Sequence, residues 1–247
     1  MYYIVFDLEF NQGSCSSLSS IEKKAKTPFE IIQIGAVKLD SNFKTIATFN
    51  RYVKPSIYSQ VNPFISDLTG ITTEQLTSEE SFSKVFNDYI SFTGQVDSAF
   101  CVWGMSDMKE LFRNVEYHKL DKSLLPEMYI NIQPYLSLRL GFSKTKLLKL
   151  QTAVESLKIP MPYAFHNAFY DAYYTAEIFK RINSPIIEPK KYNPDYISIR
   201  SIQRKKIVDF EKLLQQFEKM YARGLSKEEQ DMIILAYKMG KTNQFLK

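Results

Sequence analysis

The sequence is poor in the residues that build disulfide frameworks, zinc sites and membrane spans. It has two cysteines, Cys15 and Cys101, and two histidines in 247 residues, too few for a disulfide framework and with little scope for a zinc site. No stretch approaches the roughly 20 apolar residues of a membrane-spanning helix. The opening MYYIVFDLEF lacks the basic segment that precedes the apolar run of a signal peptide. We therefore expect a reducing, cytoplasmic location and no membrane partner.

The composition is that of a folded protein whose charge is unevenly distributed. With 45% hydrophobic and 24% charged residues, the chain has the material for one large domain, or a domain with an appendage, and disorder is excluded. Residues 1–184 carry no net charge, so the whole excess of +5 lies in 185–247. A basic arm suggests a polyanionic partner such as nucleic acid. From charge alone, a solubilising helical tail is the simpler interpretation.

The apolar pattern predicts a three-stranded meander followed by alternating helices and strands. Strands are expected at 2–8, 30–40, 43–55, 98–104 and 128–133. Helices are expected at 81–93, 106–118, 145–157 and 167–182. This order predicts an α/β fold with a mixed five-stranded sheet flanked by helices.

The last quarter of the chain reads as a separate extension. Residues 184–198 contain three prolines and no periodicity, so they predict a linker between a body at 1–183 and an extension at 199–247. The extension is predicted to be helical, because apolar residues recur at helical spacing in its middle and Ser226 and Glu229 have capping-box spacing. Four basic residues crowd its start: Arg200, Arg204, Lys205 and Lys206.

Acidic residues stand at the edges of three predicted elements. Asp7 and Glu9 lie two apart on the first strand, so both point to one face. Two neighbouring carboxylates repel each other unless a cation lies between them. Asp107 opens the helix after the 98–104 strand, and Asp171 lies inside the helix at 167–182. Each alone has an ordinary explanation, since strands often alternate charges and acids complement helix N-termini.

Taken together with His166, these acids resemble the DEDDh family of 3′-to-5′ exonucleases. The matching motifs are D-x-E on the first strand, an Asp opening a helix after W-G, and H-N-A-x-x-D-A on the last helix of the body. The resemblance covers about residues 1–183 and implies a ribonuclease H-like fold. The sister group has Tyr four residues before the last Asp, where this chain has Asn167. The segments EIIQIGAVKLD and L-T-G-I-T are similar to the subgroup that trims histone messages and small interfering RNAs, and to bacterial relatives described as sporulation inhibitors.

The resemblance implies hydrolysis of terminal phosphodiesters to 5′-mononucleotides with two divalent cations, Mg²⁺ or Mn²⁺. Such ions prefer oxygen ligands, which the four carboxylates supply. By resemblance, Asp7 bridges both ions, while Glu9 and Asp171 hold the ion that binds the attacking water. Asp107 supports the second ion. His166 is the implied general base, because histidine titrates near pH 6.5.

The resemblance also implies contacts with the 3′ end of single-stranded nucleic acid. The backbone after D-x-E and the L-T-G-I-T segment would meet the terminal nucleotide, and Trp103 is either a core residue or a platform for a base. The extension would add affinity for phosphates or dock a protein partner. The residues assigned to substrate binding are Phe10, Leu68, Thr69, Gly70, Ile71, Trp103, Arg200, Arg204, Lys205 and Lys206.

Three functions remain open at the level of the sequence. An exonuclease acting on RNA is favoured slightly because of the subgroup resemblance. The same site could act on DNA in repair or proofreading. A nucleic-acid-binding or scaffold protein with an inactive catalytic fold is the third, and the retained acids argue against it.

Overall fold

A computed structural model describes residues 1–13, 29–94, 97–143, 145–182, 187–194 and 209–241, with side chains up to 237 in the last range. The chain divides into two compact units, Met1–Asp195 and Tyr196–Lys247. The first contains the sheet and all the acids of the motif. Arg200, Arg204, Lys205 and Lys206 lie outside the described residues.

The first unit is built on a mixed six-stranded sheet with the order β3-β2-β1-β4-β5-β6. Its strands are β1 (Tyr2–Asn11), β2 (Glu30–Leu39), β3 (Thr45–Tyr52), β4 (Ser98–Val102), β5 (Met128–Asn131) and β6 (Lys190–Lys191). β1, β4 and β5 run parallel, while β2, β3 and β6 are antiparallel to their neighbours. The parallel strands therefore bring their carboxyl ends, and the residues that follow, to one edge of the sheet.

The predicted α/β fold with a mixed sheet is confirmed, but the count of five strands is wrong. The extra strand, β6, pairs only Lys190 with Tyr129 and Lys191 with Met128. Two residues are too short to carry an alternating pattern, so the sequence gives no signal for it. β5 is also shorter than predicted, because Asn131 accepts a hydrogen bond from the N–H of Gln133 at 3.3 Å and caps a helix there.

Helices cover the sheet and agree with most of the sequence predictions. Those of the first unit are α1 (Pro63–Thr69), α2 (Thr73–Thr77), α3 (Phe82–Thr93), α4 (Ser106–Tyr117), α5 (Ile132–Arg139), α6 (Leu150–Ser156) and α7 (Ala168–Ile182), with a 3₁₀ turn at Lys122–Leu124. The bounds of α3, α4 and α7 match the predictions to within one residue. The short α1, α2 and α5 were not predicted. α1 had readable signals, since Asn62 caps it, Pro63 opens it and Gly70 ends it in the left-handed conformation.

The core lies on both faces of the sheet because the strands alternate. Ile4, Phe6 and Leu8 of β1 are buried on the face covered by α3 and α4. Val5 is buried on the opposite face, among residues of α5, α6 and α7. By the same alternation Asp7 and Glu9 extend from β1 on the α7 face. Asp7 and Glu9 therefore lie on the same face of β1 as the apolar residue Val5.

Gly35 allows α7 to rest directly on the sheet. It pairs with Asp7 across β1 and β2. A Cβ atom at position 35 would lie 2.1 Å from the backbone nitrogen of Phe169 and 2.3 Å from the carbonyl oxygen of Ala168. These are backbone atoms of the first turn of α7, so a side chain at position 35 could be accommodated only by moving the helix.

We expect Gly35→Ala to separate α7 from β2 and to lower both stability and activity. Overpacking of this kind costs about 1–3 kcal/mol. Thermal unfolding and nuclease assays will measure the two losses. Gly224→Ala is the matched control, because a Cβ there meets no atom within 4 Å. An unchanged melting temperature for Gly35→Ala would contradict the close approach.

The described part of the second unit, residues 209–241, contains the helices α8 (Phe210–Tyr221) and α9 (Lys227–Lys241). The predicted capping box is present: the Ser226 N–H donates to Glu229 at 2.9 Å, and the Glu229 N–H donates to the Ser226 hydroxyl at 3.2 Å. No residue of 209–237 is fully buried. A groove of about 790 Å³ between the helices is lined by apolar residues that include Leu213, Phe217, Met232 and Ile233. No helix in the described ranges has the length and apolarity to span a membrane.

Candidate active site

Asp7 and Glu9 are presented at the end of β1, beside an irregularity in the sheet. Asp7 pairs with Gly35 and Glu9 with Gln33, and the register then shifts between Glu9 and Phe10. Such bulges redirect the side chains around them and are frequent next to active sites. The two carboxylates therefore lie on one face, at the point where regular pairing with β2 is interrupted.

Asp171 reaches the same place from the first turn of α7. Gln33 fixes the start of this helix, because its side-chain oxygen accepts from the Ala168 N–H at 3.2 Å and its amide donates to Asn167 at 3.3 Å. Asn167 caps the helix by accepting from the Phe169 N–H at 3.1 Å. One carboxylate oxygen from each of Asp7, Glu9 and Asp171 lies within 4.8 Å of the other two.

Asp107 joins the acids from a third element. It lies in the first turn of α4 and is 7% exposed. The turn before it contains Gly104, whose N–H donates to Asn131 at 3.1 Å, which ties the ends of β4 and β5 together. Asp107 is outside the group of three within 4.8 Å. It is near enough for its charge to raise the pKa of Asp7 and of Glu9.

The four carboxyls resist ionisation when no cation is present. Burial raises the pKa of Asp7 well above its usual range, and the charges of the other three acids add to this. Burial, then the charges of Asp171 and Asp107, raise the pKa of Glu9 to about 8. Burial raises the pKa of Asp107 to about 7 and that of Asp171 to about 6. Hydrogen bonds from the backbone oppose the shift at Asp7, Asp107 and Asp171.

These residues fit divalent cations. The Oδ1 atom of Asp171 is buried and has no hydrogen-bond partner among the described residues. A buried polar atom of this kind is costly unless a ligand satisfies it. All the donors are carboxylate oxygens, which suit hard cations such as Mg²⁺ or Mn²⁺. Asp7, Glu9 and Asp171 would hold such ions, with Asp107 beside them.

We expect the metal-free protein to lose stability as the pH rises. Each acid with a raised pKa binds its proton more tightly in the folded state, so its contribution is present near pH 4 and is lost as the pH passes about 6, 7 and 8 for Asp171, Asp107 and Glu9. Mg²⁺ or Mn²⁺ at about 100 times its Kd should add about 2.7 kcal/mol at pH 8, or about 5–10 °C in Tm. The same metal concentration should add less at pH 5, where protons compete with the cation for the carboxylates.

Thermal unfolding with chelator and with metal, at both pH values, will check this expectation. The variant Asp7→Asn is the control: it removes one of the crowded charges, so its metal-free Tm should fall less between pH 5 and pH 8. Equal pH dependence in variant and wild type would contradict the crowding of charge around Asp7.

His166 lies at the rim of this site. Its side chain is exposed, and its backbone N–H donates to Oδ2 of Asp171 at 3.2 Å. Its backbone is left-handed, with φ of 65°. Histidine tolerates this region better than most residues, but the conformation still has to be held by its surroundings. The motif H-N-A-x-x-D-A therefore joins its first and sixth residues by a direct hydrogen bond.

The residues predicted to bind substrate have different environments. Leu68 is 42% exposed on α1, and Gly70 follows it with φ of 74°. Thr69 uses its hydroxyl within this turn, donating to the Ile65 carbonyl at 2.8 Å. Ile71 is 2% exposed, and its side chain packs in a cluster with Ile32 and Leu76. Of the L-T-G-I side chains, Leu68 alone is exposed.

Phe10 and Trp103 are both half-buried. The Phe10 ring lies 6.4 Å from that of Phe29 and packs against the core beside α3 and α4. The Trp103 indole donates to the Leu148 carbonyl at 3.2 Å and packs against the opposite core. This packing accounts for Trp103 without a nucleobase. The four basic residues of the extension lie outside the described residues, and their contact with phosphates stays a prediction.

Sequence reasoning missed the residues that hold the site together. Gln33 and Gly35 support the start of α7, and Tyr174 anchors the segment before it. A signal existed for Gln33, because it is a polar residue inside the otherwise apolar run IIQIGAV. Tyr174 is one of 16 tyrosines, and nothing in the sequence distinguishes it from the others.

A mixed sheet with acids clustered at its edge and a histidine beside them is the arrangement of a ribonuclease H-like fold whose site fits divalent cations. The family model described as Exonuclease (RNase_T) matches residues 4–179, so the chain belongs to this exonuclease family, and the resemblance to its DEDDh members is confirmed. Every residue of the predicted acidic motif lies within the matched range.

The similar proteins include both RNA and DNA enzymes. ERI1 exoribonuclease 3 of Homo sapiens is 26% identical over 191 residues, which cover 73% of this chain and 53% of that protein. The DNA polymerase III PolC-type of Thermotoga petrophila is 28% identical over 152 residues, covering 62% of this chain and 10% of that protein. The chain thus spans about half the length of the first of these relatives.

The fold agrees with a solved structure of the same group. The nuclease domain of 3′hExo, a DEDDh family member bound to rAMP, has a TM-score of 0.65 and 22% sequence identity. The alignment covers 78% of this chain and 97% of that one. The arrangement of strands and helices is therefore shared over the whole of that domain.

Proposed function

We propose that this protein removes nucleotides from the 3′ end of single-stranded nucleic acid by hydrolysing the terminal phosphodiester to a 5′-mononucleotide. The observation that carries this proposal is the group of Asp7, Glu9 and Asp171, with its unpartnered Asp171 oxygen, inside an exonuclease-family fold. Divalent cations bound there supply Lewis-acid stabilisation of the phosphoryl oxygens and an activated water.

Each residue of the site has a separate task in this proposal. Asp7, Glu9 and Asp171 would hold the divalent cations, with Asp7 at the centre of the crowded charges. Asp107 would support them from α4. The exposed His166 accepts the proton of the attacking water, as a general base at the rim of the site. The protein's contribution is to hold these groups rigidly at the edge of the sheet.

We favour Mg²⁺ as the working cation and expect Mn²⁺ to replace it. Both ions accept carboxylate oxygens, and the group of Asp7, Glu9 and Asp171 supplies oxygen ligands. Activity after exhaustive chelation, restored separately by each ion, is the measurement. Restoration by neither ion would contradict the proposed metal chemistry.

RNA is the substrate that we favour. The supporting observation is the similarity to ERI1 exoribonuclease 3 over 73% of this chain. The similarity to a PolC-type DNA polymerase supports the alternative, a DNA exonuclease. A binding or scaffold protein on the same fold is a third outcome, and the test below separates it from both enzymes.

The decisive experiment compares RNA and DNA oligomers of one sequence, each labelled at the 5′ end, in the presence of Mg²⁺. We expect a ladder of products shortened from the 3′ end, with the RNA degraded faster. Asp7→Asn, purified in parallel, controls for contaminating nucleases. Faster degradation of DNA would favour the alternative enzyme, and binding without degradation would favour the scaffold.

A further inference from the structure

The segment that carries His166 joins α6 to α7 and ends in an unfavourable conformation. His166 has φ of 65°, a region that costs L-residues other than glycine about 1–2 kcal/mol. Left-handed residues persist where the surrounding structure determines them from several sides. The contacts made by the residues just before and just after His166 therefore determine the position of its imidazole.

The contacts after His166 are made by the start of α7. The His166 N–H donates to Asp171, and Asn167 accepts from the Phe169 N–H. These bonds hold the backbone from position 166 onward. They belong to the exonuclease motif itself and leave the residues before His166 unrestrained.

The backbone before His166 is held by the hydroxyl of Tyr174, while the ring of Tyr163 stacks on Tyr170 with the ring centres 4.4 Å apart. This hydroxyl donates to the Tyr163 carbonyl at 2.7 Å and accepts from the Tyr163 N–H at 2.9 Å. One buried atom thus satisfies both backbone polar groups of a residue three positions before His166. The ring of Tyr174 is fully buried and stacks on Phe165, with the ring centres 4.9 Å apart.

We propose that Tyr174 is a positioning residue for His166. It lies on α7, three residues after Asp171, so the helix that presents the metal ligand also fixes the segment that presents the base. Displacement of Tyr163 would let the His166 side chain move relative to the acids. This inference rests on the proposed exonuclease function, and it assigns to Tyr174 no contact with substrate or cation.

The test is Tyr174→Phe, which removes only the hydroxyl. Tyr89→Phe is the matched control, because Tyr89 is equally buried but its hydroxyl has no hydrogen-bond partner among the described residues. A small misplacement of a catalytic group can cost up to about 100-fold in rate. We expect Tyr174→Phe to lower kcat by about 10- to 100-fold with KM unchanged, and Tyr89→Phe to leave kcat unchanged.

A double-mutant cycle with His166→Asn separates positioning from a general loss of structure. If Tyr174 acts through His166, adding Tyr174→Phe to His166→Asn lowers kcat no further. All variants are assayed well below the lowest of their melting temperatures. A wild-type kcat for Tyr174→Phe, or an equal fold-loss in both backgrounds, would overturn the inference. Inactive wild-type protein would instead overturn the proposed function.

Discussion

Asp7→Asn is expected to lower kcat by about 10³-fold or more. Asp7 is the carboxylate whose pKa is raised by all three other acids of the site, so it lies at the centre of their charge. Removal of its charge weakens the binding of every cation at the site. The Lewis-acid stabilisation that is lost is worth several kcal/mol, and each 1.4 kcal/mol or so corresponds to a tenfold change in rate.

Single-turnover assays of purified Asp7→Asn with labelled oligomers, over a range of Mg²⁺ concentrations, will measure this loss. Asp88→Asn is the matched control. It removes the same charge from a surface carboxylate on α3 that forms ion pairs with Arg51 of β3 and with Lys84. Full turnover by Asp7→Asn, or by wild type in excess chelator, would exclude a mechanism based on two cations.

His166→Ala is expected to lower kcat by about 10²- to 10⁴-fold, the usual contribution of a general base. Cation binding should persist, because the carboxylates remain and the His166 side chain is exposed at their rim. His166→Asn should give the same loss. Since asparagine tolerates left-handed backbone, that variant separates loss of the imidazole from strain in the segment.

The pH profile of kcat and the rise in Tm on adding Mg²⁺ are the measurements. The acidic limb of the profile should disappear in both variants, while the Mg²⁺-dependent rise in Tm stays. His118, the other histidine of the chain, is the control; it stacks on Phe82 at 4.9 Å, so His118→Ala should change stability alone. A pH profile unchanged by His166→Ala would assign the base to another group.

The acids of the site were predictable because each depends on local geometry. Alternation along β1 places Asp7 and Glu9 together, and Asp171 lies in the first turn of a helix whose bounds the sequence predicts to within one residue. Their arrival at one sheet edge depends on the parallel pairing of β1 and β4, which the structure shows and the sequence analysis did not specify. The family motif supplied the rest of the assignment.

The supports of the site were not predictable, because they are contacts between residues far apart in the chain. Gln33 and Ala168 are separated by 135 positions. Gln33 stands out as a polar residue in an apolar strand, but nothing in the sequence identifies Ala168 as its partner. Tyr174 is recognisable only once the backbone of Tyr163 is seen beside it. β6 consists of two residues, too few for any periodicity. Short-range patterns encode the elements, whereas these contacts arise from packing between them.

The close packing of α7 against β2 makes nuclease activity depend on the correct pairing of the strands. Gln33 and Gly35 are two residues apart, so both face the helix, and a slip of β2 by one residue would present Ile34 there instead. The Ile34 side chain would then clash with the backbone of Ala168 and Phe169, which leaves no room even for a Cβ atom. A misregistered chain therefore cannot seat the helix that carries Asp171. Recovery of nuclease activity during refolding would therefore report correct strand pairing. A compact intermediate in which β2 is shifted by one residue would show no activity.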